Sequence, residues 1–198
     1  MTASRHRYFI INKPYGMLSQ FVSSHEGTLL GALDFPFPEG IHAVGRLDKA
    51  SEGLLILTTN KKITKLLFQG KVPHQRTYLV KVRNTVTEEK RQQLQNGIQI
   101  RVAGGNYTHT AACTAIITEK PEGLFERAFQ EPEYPPYTWL TISLTEGKFH
   151  QIRKMVKAIN HRCERLIRIS IENLLLGTLP PGGVKEIEEA QFFELLNL

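Results

Sequence analysis

The stretch "GLLILTT" at residues 53–59 sets Leu54, Leu55, Ile56 and Leu57 in a row with no polar interruption. It is too short for a typical helix and offers no polar face. It therefore reads as a strand buried on both sides, and such a strand belongs inside a sheet with cover on each face.

The neighbouring segments supply that setting. "RYFIIN" (residues 7–12) reads as a first strand, stopped by the turn "KPYG". A Pro-rich loop, "FPFPEG", occupies residues 35–40. Asn60 is placed to cap a helix "KKITKLLFQ" in which Ile63, Leu66 and Leu67 have helical spacing, and Gly70 supplies the stop. "RTYLVKV" (residues 76–82) alternates, with Tyr78, Val80 and Val82 on one side. Thr87 opens a polar helix that has Glu88 and Glu89 in its first turn.

"HTAACTAIIT" and "YTWLTISL" read as further strands. In "GKFHQIRKMVKAIN" the residues Ile152, Met155, Val156 and Ile159 recur at i, i+3, i+4 and i+7, which predicts a helix. Residues 165–176 read as another strand, and "VKEIEEAQFFELL" as a closing helix with an acidic face. Many strands with few helices predict an α+β fold: one mixed, mostly antiparallel sheet with flanking helices and a central basic cleft. No linker or repeat divides the chain, so residues 1–198 are expected to form a single domain of two subdomains sharing one sheet.

The formal net charge is +6. Basic residues gather at Lys61, Lys62, Lys65, Lys71, Arg76, Lys81 and Arg83, and again at Lys148, Arg153, Lys154, Lys157, Arg162, Arg165 and Arg168. Two such segments fit a phosphate-binding footprint, or the solvated faces of helices. Cys113 and Cys163 sit in no C-x-x-C pair, which fits free thiols in a reducing cytoplasm. His109 and Cys113 lack a second ligand pair, so no metal is expected. No apolar stretch approaches a membrane span, and the start lacks the long apolar core of a signal peptide.

Just ahead of the apolar run stands Asp48, between Arg46 and Lys49. A carboxylate in that position fits a turn residue, or an ionised catalytic group in a basic cleft. Glu52 offers a second carboxylate four residues on, the pairing that glycoside hydrolysis uses.

"GRLDKASEGLLILTTN" resembles the signature of the pseudouridine synthases, in the family of the ribosomal small-subunit enzyme A. "YFIINKPYGML" resembles that family's opening motif and "RTYLVKV" its tyrosine-bearing strand. "LTEGKFHQIRKMVKAINHRCERLIRISIENLLLGTLPPG" resembles its C-terminal motif, so four motifs fall in order along the chain. The opening motif starts at Tyr8, so the small RNA-binding domain that many members carry is not expected ahead of it. This points to the subgroup without it, of the large-subunit synthase E kind.

The resemblance implies isomerisation of a uridine in folded ribosomal RNA, most simply large-subunit 23S rRNA, by a cytoplasmic monomer with no cofactor and no membrane partner. It implies that Asp48 is the catalytic carboxylate, that Arg153 is its cationic partner, and that Tyr78 stacks on the target uracil. Arg46 is expected to meet a phosphate beside the flipped nucleotide or to brace the loop. Leu166 is expected to wall the pocket or to be plain core. Lys13 and Phe149, both inside matched motifs, join them as substrate-binding candidates. Rival readings are a non-catalytic RNA-binding module, a nucleoside glycosidase using Asp48 with Glu52, and an interaction protein in which these residues are structural.

Overall fold

The computed structural model describes residues 6–70, 72–127 and 136–198. Lys71 of the first basic segment, and the first five residues, lie outside the described residues. In chain order the first elements are β1 (Tyr8–Lys13), β2 (His42–Val44), β3 (Glu52–Thr58), α1 (Ile63–Gln69), β4 (Arg76–Arg83) and α2 (Glu88–Gln95). Then come β5 (Gln99–Arg101), β6 (Tyr107–His109), β7 (Thr114–Thr118), β8 (Tyr137–Leu144) and α3 (Gln151–Ala158). The chain closes with β9 (Cys163–Ile171), β10 (Leu174–Leu175), β11 (Val184–Ile187) and α4 (Glu189–Leu195). The described chain forms two compact units: Met1–His74 with Arg168–Leu198, and Gln75–Ile167.

In the first unit, β1 pairs antiparallel with β3 from Tyr8↔Thr58 to Lys13↔Gly53, and with β11 on its other edge from Tyr8↔Ile187 to Ile11↔Val184. Every residue of β1 and β3 is buried, as the apolar run requires. The two faces have different covers. Tyr8, Ile10, Leu54 and Ile56 pack with Ile63 and Leu67 of α1 and with Phe192 and Leu196 at the chain's end. Phe9 points the other way and meets Phe35 edge-on, the ring centroids 5.6 Å apart, while Phe37 packs against Phe21 at 5.2 Å. The Pro-rich loop is therefore a lid on the second face, presenting the two phenylalanines that its alternating prolines separate.

The Asn60 side-chain oxygen accepts from Lys62 N at 3.1 Å in the turn ahead of α1, but the helix begins only at Ile63, with Lys62 and not Asn60 at its N-cap. Gly70 does not use a left-handed conformation: its φ is −71°. The helix stops where Gly70 turns extended at ψ 168°, a position at which a Cβ would lie 2.7 Å from the Leu66 carbonyl oxygen. The expected closing helix is half strand. Val184–Ile187 is β11, and only Glu189–Leu195 is helical. The apolar Val184 and Ile187 are taken up by pairing with β1, which outweighs the helical propensity of the glutamates between and after them.

In the second unit, β4 and β8 pair antiparallel over eight residues, Arg76↔Leu144 to Arg83↔Tyr137, with β7 on the far edge of β8. Residues 110–113 are not strand, so the segment expected as one strand is two, β6 and β7. β6 pairs instead with β5 in a separate hairpin. Ile152, Met155, Val156 and Ile159 are buried in a core with Val80, Val82, Leu140 and Ile142, which explains the helical stripe. That helix begins at Gln151, later than the sequence suggests, because His150 is left-handed at φ 55°. These layers of antiparallel strands and short helices make the α+β class expected.

Candidate active site

Asp48 lies in the turn between β2 and β3 of the first unit. Gly45 starts that turn at φ +71°, and a Cβ there would come within 2.8 Å of the Phe68 ring, so both conformation and space require glycine. Two residues on, Leu47 is buried and its backbone is held at both ends by one side chain. The Ser19 hydroxyl accepts from Leu47 N at 3.0 Å and donates to Leu47 O at 2.9 Å. Ser51 N donates to Asp48 O at 2.9 Å, and Gly16 N to Lys49 O at 2.8 Å. These bonds leave Arg46 exposed and Asp48 half-buried on a fixed backbone.

Beneath the turn is Lys13, with 0% of its surface exposed. Its ammonium donates to Met17 O at 2.6 Å and Pro14 O at 3.0 Å, and reaches Lys49 O at 3.5 Å. One cation thus fastens the "KPYG" turn to the Asp48 turn. Burial pushes its pKa down to about 8, opposed by the charges of Glu52 and Asp48 and reinforced by Arg168. A side chain so enclosed has no surface to offer an RNA phosphate. Its place corrects the expectation of direct substrate binding to one of bracing the turn. Glu52 is buried at the start of β3 among these groups, so it does not share a sugar-facing position with Asp48 as a glycosidase pair requires.

Four further candidates belong to the second unit. Tyr78 is half-buried on β4 opposite Ile142 and packs on the core. Leu166 is buried within that core. Arg153 is half-buried on α3, one position past Ile152. Its charge draws down the Cys163 thiol, although burial wins and pushes that thiol up to about 11. Burial likewise raises Cys113 to about 11.

Phe149, in the loop before α3, is 73% exposed. Around it runs a bracket that the sequence reading missed. Glu146 Oε1 accepts from Ala111 N at 3.0 Å and from Gln151 Nε2 at 2.7 Å, and its other oxygen pairs with the Lys148 ammonium. Gln151 Oε1 in turn accepts from Lys148 N at 2.8 Å. Burial acts to raise the Glu146 carboxyl, but these donors outweigh it and hold the group below its ordinary value. The available signal was a glutamine in the buried position just ahead of an apolar stripe. Ser19 carried no such signal.

The later basic segment is partly internal. Arg165 and Arg168 are 7% and 3% exposed, and they donate to Phe125 O and Leu54 O, each at 2.8 Å. Among the described residues no group of three or more histidine, cysteine, aspartate or glutamate side chains is arranged to hold a metal ion, and no helix is long and apolar enough to cross a membrane.

Residues 7–158 match the family described as RNA pseudouridylate synthase, and the chain belongs to that family. It is 33% identical over 189 residues to ribosomal large subunit pseudouridine synthase E of Vibrio vulnificus, covering 94% of this chain and 77% of the relative. It is 27% identical over 186 residues to ribosomal small subunit pseudouridine synthase A of Escherichia coli K12, covering 93% and 72%. Its fold is that of a pseudouridylate synthase crystal structure, with a TM-score of 0.76 at 23% identity over 99% of this chain and 76% of the other.

Proposed function

We propose that this protein converts a specific uridine of large-subunit 23S ribosomal RNA to pseudouridine, with Asp48 as the catalytic carboxylate. The observation that carries the reading is the Asp48 turn, fixed by Gly45, Ser19 and Lys13 so that the carboxylate stands on a backbone that does not drift. The names of its relatives, large-subunit synthase E among them, support the choice of RNA.

In the reaction the bond from uracil N1 to the ribose C1′ breaks, the base turns over, and C5 bonds to C1′. The C5 proton is lost and N1 gains one, so the change is an isomerisation that needs no oxidant and no energy source. Action without a redox cofactor fits that balance. The uridine must leave its stack before a carboxylate can reach its sugar, and contacts to flanking phosphates help to hold it out. Arg46, exposed beside Asp48, suits a phosphate. The family resemblance gives Tyr78 the stacking role on the uracil and Arg153 the cationic role toward the carboxylate.

Tritium release from 23S rRNA labelled at uridine C5 tests this, because forming the new bond expels the C5 hydrogen. Wild type releases tritium and a folded Asp48→Asn variant releases none above background. Free uracil as product would turn the reading to a glycosidase. RNA binding without release, from naked rRNA and from precursor particles alike, would turn it to a binding module.

A further inference from the structure

Phe149 is among the most exposed large apolar side chains of the described residues, and it is held in place. Its ring stacks on that of His150 with centroids 3.9 Å apart and an interplanar angle of 19°. The Lys154 ammonium stands over the same ring, 5.3 Å from its centroid. His150 takes a left-handed backbone, φ 55° and ψ 32°, which is uncommon for a non-glycine residue. The Glu146 bracket encloses it, tying Lys148 on one side of the pair and Gln151 on the other. The loop thus keeps a flat aromatic pair in water, in a conformation that apolar burial does not explain.

The chemistry of the pair selects its occupant. A lone ring flanked by polar residues is too small to dock an apolar protein face. A π-surface with ammonium groups beside it suits a base and its phosphate, and α3 carries Arg153, Lys154 and Lys157 with no acidic residue. Bases inside a duplex have no free face, so the occupant is unpaired.

We propose that the Phe149–His150 pair is a stacking platform for one unpaired RNA base, with Lys154 meeting the phosphate next to it. This rests on the reading of the protein as an RNA pseudouridine synthase, and it assigns the platform to a nucleotide other than the target uridine. Stacking on a ring tolerates any base, so the platform contributes affinity without setting sequence.

The probes are a labelled single-stranded 12-mer of uridylate, a duplex of equal length, and C5-tritiated 23S rRNA. Phe149→Ala is expected to raise Kd for the single strand about tenfold, leave duplex binding unchanged, and raise KM for rRNA rather than lower kcat. Phe149→Trp restores the single-strand affinity. Lys154→Gln lowers the slope of log Kd against log salt by about 0.7, the contribution of one phosphate on a single strand. Phe149→Ala with unchanged Kd and KM overturns the platform, as does a loss confined to kcat. If wild type releases no tritium while Phe149→Ala still weakens single-strand binding, the platform stands and the synthase reading falls.

Discussion

Lys13 links the chemistry of one residue to the stability of the molecule. A fully buried ammonium bonded to backbone carbonyls has a pKa of about 8, against 10.5 for an ordinary lysine, because burial disfavours its charge. Between those values the unfolded chain keeps a proton that the folded chain has released. Folding stability therefore rises with pH from about 8 to 10.5, by about 3 kcal/mol from this group at most. Lys13→Met removes that slope. It also leaves Pro14 O and Met17 O without their donor, a loss that offsets the relief of the burial penalty at neutral pH. Urea denaturation of both proteins from pH 7 to 10.5 measures the two effects, and parallel pH curves would refute the first. Asp48, Arg46 and Lys13 were all legible as candidates from the motifs around them. The role of Lys13 was not, because sequence spacing does not say that a lysine at the end of a strand will lose all its solvent.

At the scale of elements, the loop between β8 and α3 shows what one half-buried carboxylate organises. Glu146 receives the backbone N–H of Ala111, the Gln151 amide and the Lys148 ammonium, so it fixes the start of α3 and with it the direction in which Arg153 leaves the helix. Because its pKa is held below the usual 4.5, its contribution to stability is complete above that value and is lost as pH falls through the lower folded value. Glu146→Gln is expected to remove this acid sensitivity and to slow turnover several-fold, since the neutral amide cannot hold all three donors. Thermal melts between pH 3 and 7, with tritium-release rates at pH 7, check both. Equal acid sensitivity in the variant would count against the bracket. The helical stripe of α3 was plain in the sequence, yet its first turn was misplaced. Periodicity locates the buried face, while the start of the helix is set by a glutamate and a glutamine bonding across the loop. β11 was misread for a related reason. Its glutamates favour a helix locally, and only the free edge of β1 makes Val184–Ile187 a strand.

Across the whole molecule, the run at residues 53–59 correctly foretold a strand covered on both faces, and the covers proved to be α1 with α4 on one face and the phenylalanine loop on the other. The net charge of +6 foretold less. Lys13, Arg165 and Arg168 spend their charge on internal carbonyls, so the cations available to RNA are fewer than the sequence suggests. Binding is still expected to weaken with salt, because Arg46, Lys49 and Lys157 remain exposed. With about three phosphates met, affinity for single-stranded RNA falls roughly tenfold or more between 50 and 200 mM salt. Titrations by fluorescence anisotropy across that range decide the matter, and a flat response would remove electrostatics from the account.

The two cysteines open a practical route. Burial raises both thiols to about 11, so neither is readily ionised at pH 7. Slow labelling of the native chain by a maleimide at pH 7 is the expected result. A single cysteine added on an exposed surface therefore accepts a dye selectively, with no need to delete Cys113 or Cys163 from the core they help to fill. The protein comes ready for single-molecule optics.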